Sequence, residues 1–188
     1  MKFKSVKLAT QVAVAIALFF PAISYSDQTD ARLDALFELL QGSDNPVELQ
    51  ETETAIWEIW YESGQQGIDT LMQEARAAVQ AGDLGRAEEL YSEVIERAPA
   101  FSEGWNRRAT IRYYRRNYDG SLEDIHRTLV LESRHFGAIW GLGMILGSQR
   151  NFPGAITAFE RLLEIKPNSR DAGPRIELLK QEMTKNAV

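Results

Sequence analysis

Apolar and small residues recur along this chain in a pattern that repeats every 34 positions between Ile68 and Pro167. Laid over itself at that shift, the sequence places a large apolar residue at Leu71, Trp105 and Ile139, and a second bulky one at Tyr91, Ile125 and Phe159. Small residues coincide as Ala75, Ala109 and Gly143, and again as Ala87, Ser121 and Ala155. A turn-former (Asp83, Asn117, Asn151) is followed each time by a large apolar residue: Leu84, Tyr118 or Phe152. The units close with Pro99, Ser133 and Pro167. Within a unit the apolar and small positions fall three or four apart, as on one face of a helix, and the turn-former splits the unit into two helices. The spacing predicts helices over 67–81, 84–97, 101–116, 118–131, 135–149 and 152–165. Such a pair cannot bury its apolar face alone, so successive units stack.

Residues 30–63 read as a further helix pair that does not follow the period. Leu33, Leu36, Phe37 and Leu40 share one helical face, and Gly42-Ser43-Asp44 ends that helix. Asn45, Pro46 and Glu48 form a capping-box start for the next, whose apolar face carries Ile56, Trp57, Ile59 and Trp60 before Ser63-Gly64 stops it. This pair is expected to cover the exposed face of the first repeat, the two tryptophans offering a binding anchor as the alternative. A last helix over 172–185, opened by Pro174 and striped by Ile176, Leu178, Leu179 and Met183, is expected to cap the other end.

The 34-residue units resemble the tetratricopeptide repeat (TPR) family, in three units without a gap: 68–101, 102–135 and 136–169. They depart from it where Ser133 replaces the closing proline, where Glu74 and Arg108 stand for a leucine, and in keeping the tryptophan only at Trp105. The resemblance implies an all-α fold, a right-handed α-solenoid of helix-turn-helix repeats. The domain division is then 1–26 leader, 27–66 N-terminal pair, 67–167 repeats and 170–188 capping helix.

The resemblance also implies that the first helix of each unit lines a concave groove where a protein or peptide lies. The residues so placed are Met72, Arg76 and Val79, then Asn106, Arg107, Thr110 and Tyr113, then Trp140, Met144 and Gln149. Aromatic and methionine side chains would supply apolar area, and Arg76 and Arg107 would fork onto a carboxylate. Arg76, Arg107, Tyr113 and Trp140 are expected to carry most of the affinity. Members of the family that grip chaperone tails use a set of Lys, Asn and Arg whose matching places here read Met72, Arg76, Arg107, Gly137 and Gly141. The two glycines remove half of such a clamp, so a chaperone-tail adaptor is not expected.

Composition changes this picture in two places. Residues 1–26 hold Lys2, Lys4 and Lys7, no acid, and an apolar run from Leu8 to Phe20, then Pro21 and small residues. They read as a secretory signal peptide cleaved between Ser26 and Asp27, with Ser24–Tyr25 as second choice and an uncleaved anchor as the alternative. The protein is therefore expected to be exported, to the periplasm or beyond. The remainder carries 18 basic and 27 acidic residues, lopsidedly: 4 against 18 over 27–104, and 14 against 9 over 105–188. An acidic chain disfavours nucleic acid and anionic membranes as partners, even with Arg107, Arg108, Arg112, Arg115 and Arg116 clustered. Glu123 and Asp124 are placed to pair with some of these.

Catalytic and metal chemistry find no pattern. There is no cysteine. His126 and His135 lie outside any H-E-x-x-H arrangement and read as surface or interhelix histidines. Gly141-Leu142-Gly143 falls inside a helix, not in a phosphate loop after a strand, and Ser43-Asp44-Asn45 is a helix cap. No cofactor or metal is expected. The expectation is a non-enzymatic scaffold holding a protein or peptide partner in its groove, with envelope assembly as a setting. The alternative is a structural protein, weakly homo-oligomeric, whose acidic and basic halves meet between copies.

Overall fold

The computed structural model describes residues 30–185, and among these every regular element is an α-helix. In chain order they are α1 Arg32–Gly42, α2 Pro46–Tyr61, α3 Gln66–Gln80, α4 Leu84–Arg97, α5 Ser102–Tyr114, α6 Tyr118–Leu131, α7 Phe136–Ser148, α8 Phe152–Ile165 and α9 Ala172–Lys185. The signal peptide expected over residues 1–26, with its cleavage junction, lies outside the described residues. From α3 onward the helices fall within two residues of the bounds that the periodicity predicts. Sequential antiparallel pairs α3–α4, α5–α6 and α7–α8 pack on one another, and α9 packs on α8, giving the helical solenoid expected of the stacked units.

Each turn-former works as a helix cap. The side chains of Asp83, Asn117 and Asn151 accept the backbone N–H of Arg86, Gly120 and Gly154 at 2.9, 3.1 and 3.2 Å, satisfying a donor that the first turn would leave orphaned. The residue just before each cap is left-handed: Gly82 (φ 77°), Arg116 (φ 62°) and Arg150 (φ 61°). Glycine suits that conformation, and the two arginines hold it at a cost of about 1–2 kcal/mol each. Asn45 caps α2 through Val47 N–H at 3.0 Å, but the capping box is relayed. Glu48 accepts from the Ser43 hydroxyl, and that hydroxyl in turn accepts Asn45 N–H at 3.1 Å.

The small slots set how closely helices approach. A Cβ on Gly143 would lie 2.6 Å from the Phe159 ring, so the α7–α8 crossing admits only glycine there without a shift. Ala75, Ala87, Ala109, Ser121 and Ala155 are likewise buried at such crossings.

The N-terminal pair departs from expectation. Only Tyr61 at its end reaches the core of the first repeat. Instead α1 packs on α8 and α2 on α5. Leu33, Phe37, Leu40, Ile56, Ile59 and Trp60 share a core with Phe136, Ile139, Phe159, Leu162 and Ile165 of the third repeat and Ala172, Ile176 and Leu179 of α9. Polar contacts at long range fasten the same face: Lys166 to Glu53, Arg134 Nη1 to Asp34 Oδ1 at 2.7 Å, Asn168 Nδ2 to the Ser43 carbonyl at 3.0 Å, and Gln41 Nε2 to the Glu164 carbonyl at 3.2 Å. The pair is thus a strap along the rim formed by the amino ends of α5 and α7 and the carboxyl end of α8. The physical reason is burial of apolar surface, since the strap's apolar face is covered by the third repeat and α9. Trp60, fully buried, is part of that face and not a binding anchor.

Arg116→Gly should raise the unfolding free energy by about 1 kcal/mol, read as a higher urea midpoint, because it relieves the left-handed turn. A midpoint unchanged or lowered would show that the turn carries no strain.

Candidate functional site

The first helices of the repeats, α3, α5 and α7, line a trough made of joined cavities. One, of about 410 Å³, lies between α3 and α5 and is walled by Met72, Arg76, Val79, Tyr91, Arg107 and Thr110, with Tyr61 of α2 closing it. The next, of about 240 Å³, lies between α5 and α7 and is walled by Asn106, Thr110, Tyr113, Ile125, Trp140, Gly141 and Met144. Thr110 and Tyr114 line both. A third, between α7 and α9, shares Tyr113 and Met144 with the second. Shared walls make the three cavities one continuous surface.

The structure places the expected groove residues unevenly. Thr110, Tyr113, Trp140 and Met144 are half-buried on the trough wall, with the Trp140 ring 5.0 Å from that of Phe159. Met72 is buried in the floor. Arg76 is exposed and makes no hydrogen bond or ion pair among the described residues. Gln149 ends α7 outside the trough. Tyr114, 63% exposed at the junction of two cavities, was not singled out by the repeat register, although Tyr113 beside it was.

Arg107 differs from the expectation. Its Nε donates to Glu103 Oε1 and an Nη to the Tyr61 hydroxyl, while its guanidinium lies over the Tyr61 ring (4.7 Å) and near Trp57 (5.5 Å). Its fork faces inward, because a fully buried carboxylate needs a cation more than the trough does. Glu103 is that carboxylate. Its Oε2 accepts from Asn106 Nδ2 at 2.8 Å and from His135 Nε2 at 3.0 Å. His135 Nδ1 accepts Ala138 N–H at 3.2 Å, so the ring proton sits on Nε2 and is donated to Glu103. The imidazole stacks on Trp60 with ring centres 4.1 Å apart and planes 10° from parallel. Burial pushes the Glu103 carboxyl up, but the Arg107 charge and the His135 and Arg107 hydrogen bonds outweigh it and hold it below the usual range. Burial pushes the Tyr61 hydroxyl up.

Gly137 completes this joint. A Cβ there would meet the Trp57 ring at 2.7 Å, so the missing side chain is the seat of the strap. The glycine that empties a clamp position therefore has a packing reason. His135, an interhelix residue by its spacing, is the buried cap of α7.

Of the clustered arginines, Arg107, Arg108, Arg112 and Arg115 are paired within the chain. Arg108 grips Asp124 with two hydrogen bonds of 2.9 and 2.8 Å, Arg112 reaches both Glu88 (3.0 Å) and Asp124 (3.1 Å), and Arg115 pairs with Glu88. Asp124 is the partner expected on the following helix; Glu88, on the preceding one, takes the place expected of Glu123. Among the described residues no cluster of His, Cys, Asp or Glu is arranged to hold a metal ion, and no helix is long and apolar enough to cross a membrane.

Comparison with known proteins bears on the same helices. The sequence pattern of the tetratricopeptide repeat matches residues 72–113 and 106–170. A TPR repeat-containing protein of Rhizobium etli is 34% identical over 161 residues, 86% of this chain and 79% of its own length. Among solved structures, the Sgt2 TPR domain of Aspergillus fumigatus superposes with a TM-score of 0.61 at 22% identity, over 65% of this chain and 83% of that one. The first TPR of Spaghetti, bound to an HSP90 peptide, gives 0.61 at 18% identity over 63% and 94%. The TPR2B domain of yeast Sti1 gives 0.59 at 15% identity over 63% and 99%.

Glu103→Ala should cost about 3–5 kcal/mol in urea unfolding at neutral pH, since it leaves Arg107 without its carboxylate. Folding lowers the Glu103 pKa, so its contribution is fully present above the ordinary value of about 4.3 and is lost as the pH falls through the lower folded value. The wild type should therefore lose stability in acid more steeply than Glu103→Gln. Equal acid slopes for the two would show that Glu103 titrates alike in the folded and unfolded chain.

Proposed function

This chain belongs to the tetratricopeptide repeat family, and we propose that it is an exported scaffold whose trough holds an extended segment of a protein partner. The observation that carries the reading is the continuity of the trough across α3, α5 and α7, with half-buried Tyr113, Trp140 and Met144 beside exposed Tyr114. Aromatic and methionine side chains held on rigid helices give contact area at little cost in conformational entropy, which is what a peptide groove requires. The solved relatives add a fold-level precedent, one of them being bound to an HSP90 peptide. Scaffolding in place of catalysis accords with the family and with the packing and capping roles of His135, Glu103 and Asp124. Export rests on the basic start and short apolar core of residues 1–26, and a role in envelope assembly would follow from that location.

Arg107 belongs to the fold's own joint, so it is left intact when the groove is tested. Tyr113→Ala with Trp140→Ala should keep the helical circular dichroism of the wild type. The double variant should lose, by tenfold or more, the partner that crosslinking captures on the wild type from the envelope fraction. Equal capture by both would refute the groove reading. Independently, protein recovered from that fraction should have a mass corresponding to a chain that begins at Asp27; a chain beginning at Met1 in the cytoplasmic fraction would refute export.

A further inference from the structure

Arg175 stands on α9, outside the three repeats, two repeat periods beyond Arg107. Its half-buried guanidinium reaches the trough wall, where an Nη lies 3.2 Å from the Met144 sulfur. A thioether is a weak acceptor, and a guanidinium carries five donors. No carboxylate pairs with it among the described residues. The neighbouring charges are otherwise occupied: Glu182, which lines the same cavity, accepts from Lys185 at 2.8 Å, and Arg150 has interactions of its own. At the far end of the trough Arg76 is equally unpaired, whereas Arg107 between them is held by Glu103. The trough of an acidic protein thus ends in two unmatched cations, with aromatic and methionine walls between.

From this arrangement we infer that α9 extends the binding site and that Arg175 is a carboxylate-recognising anchor for the bound segment. The ligand class is an extended peptide with an acidic group at each end and an apolar side chain between, its carboxylates meeting Arg76 and Arg175 and its apolar group entering the cavity of Tyr113, Trp140 and Met144. Guanidinium forks match carboxylates in geometry and charge, and half-burial strengthens the pair relative to one in open water. Three helix-to-helix steps of about 8–10 Å separate α3 from α9, a span of roughly eight extended residues. The carboxylate facing Arg175 comes from an acidic side chain or from a chain terminus. The inference rests on the groove reading, and its test separates the two.

The probe is a fluorescein-labelled octapeptide with glutamate first and last, one central phenylalanine and serine elsewhere, made with a free or an amidated C-terminus. Its partner is the same peptide with both glutamates changed to glutamine. Fluorescence anisotropy with the mature chain should show the glutamate peptide binding about tenfold more tightly than the glutamine peptide. Arg175→Gln should abolish that preference at one end and Arg76→Gln at the other, leaving binding of the glutamine peptide unchanged. Loss of the Arg175 effect on amidation, against its persistence, assigns the anchor to a chain terminus or to a side chain; either supports the inference. If the peptides bind and Tyr113→Ala weakens them while Arg175→Gln does not, the α9 anchor is refuted and the groove stands. If neither peptide binds the wild type at millimolar concentration, both fall.

Discussion

A single buried carboxylate holds the parts of this protein in register. Glu103 is fully buried at the start of α5, and an ion taken so far from water is stable only when its oxygens are matched. Arg107 and Asn106 match them from the same helix, and His135 from the cap of α7. Each partner brings an element with it. His135 stacks on Trp60 and so locates the strap, and Arg107 reaches Tyr61, which closes the trough. The carboxylate therefore ties the second repeat to the third and both to the N-terminal pair, at the rim where the groove begins.

That arrangement determines which charges remain for a partner. The arginines that crowd α5 face Glu103, Asp124 and Glu88, so the helix richest in cations presents aromatic and hydroxyl groups to the trough. Arg76 and Arg175, which have no carboxylate partner among the described residues, stand at its two ends, on α3 and α9. The strap also gives the solenoid a fixed closure: three stacked repeats contact only their neighbours, whereas α2 bridges from Tyr61 beside α3 to Glu53 beside Lys166. Opening that bridge exposes Ile56, Ile59 and Trp60 together, at about 1.5–3 kcal/mol for each large side chain uncovered, so the strap is part of the fold and not a flap.

The repeats were legible because their determinants are local. Asp83, Asn117 and Asn151 cap the helix that follows, and Ala75, Ala109 and Gly143 meet the adjacent helix, so a 34-residue period carries the information. The strap was legible as two helices but not as to place, because Asp34 meets Arg134 and Glu53 meets Lys166 across more than 90 residues, and no periodicity links such pairs. For the groove, the register picked out Thr110, Tyr113, Trp140 and Met144, and the structure has these side chains half-buried along the trough. The register misjudged Arg107, since nothing local shows that Glu103, one turn earlier, would be buried. Gly137 carried a signal, a missing side chain at a groove position, but its meaning needed Trp57 in view. Arg175 could have been found by running the register one unit past the closing proline, where Pro174 and Gly173 hide the match.

Native-state hydrogen exchange on residues 27–188 tests the central claim most directly. If the Glu103 joint makes strap and repeats one cooperative body, the amides of Ile56, Ile59 and Trp60 should exchange with the same opening free energy as those of Ile139 and Ile145. Exchange of the strap amides at the rate of an exposed terminus, with the repeats still protected, would contradict it.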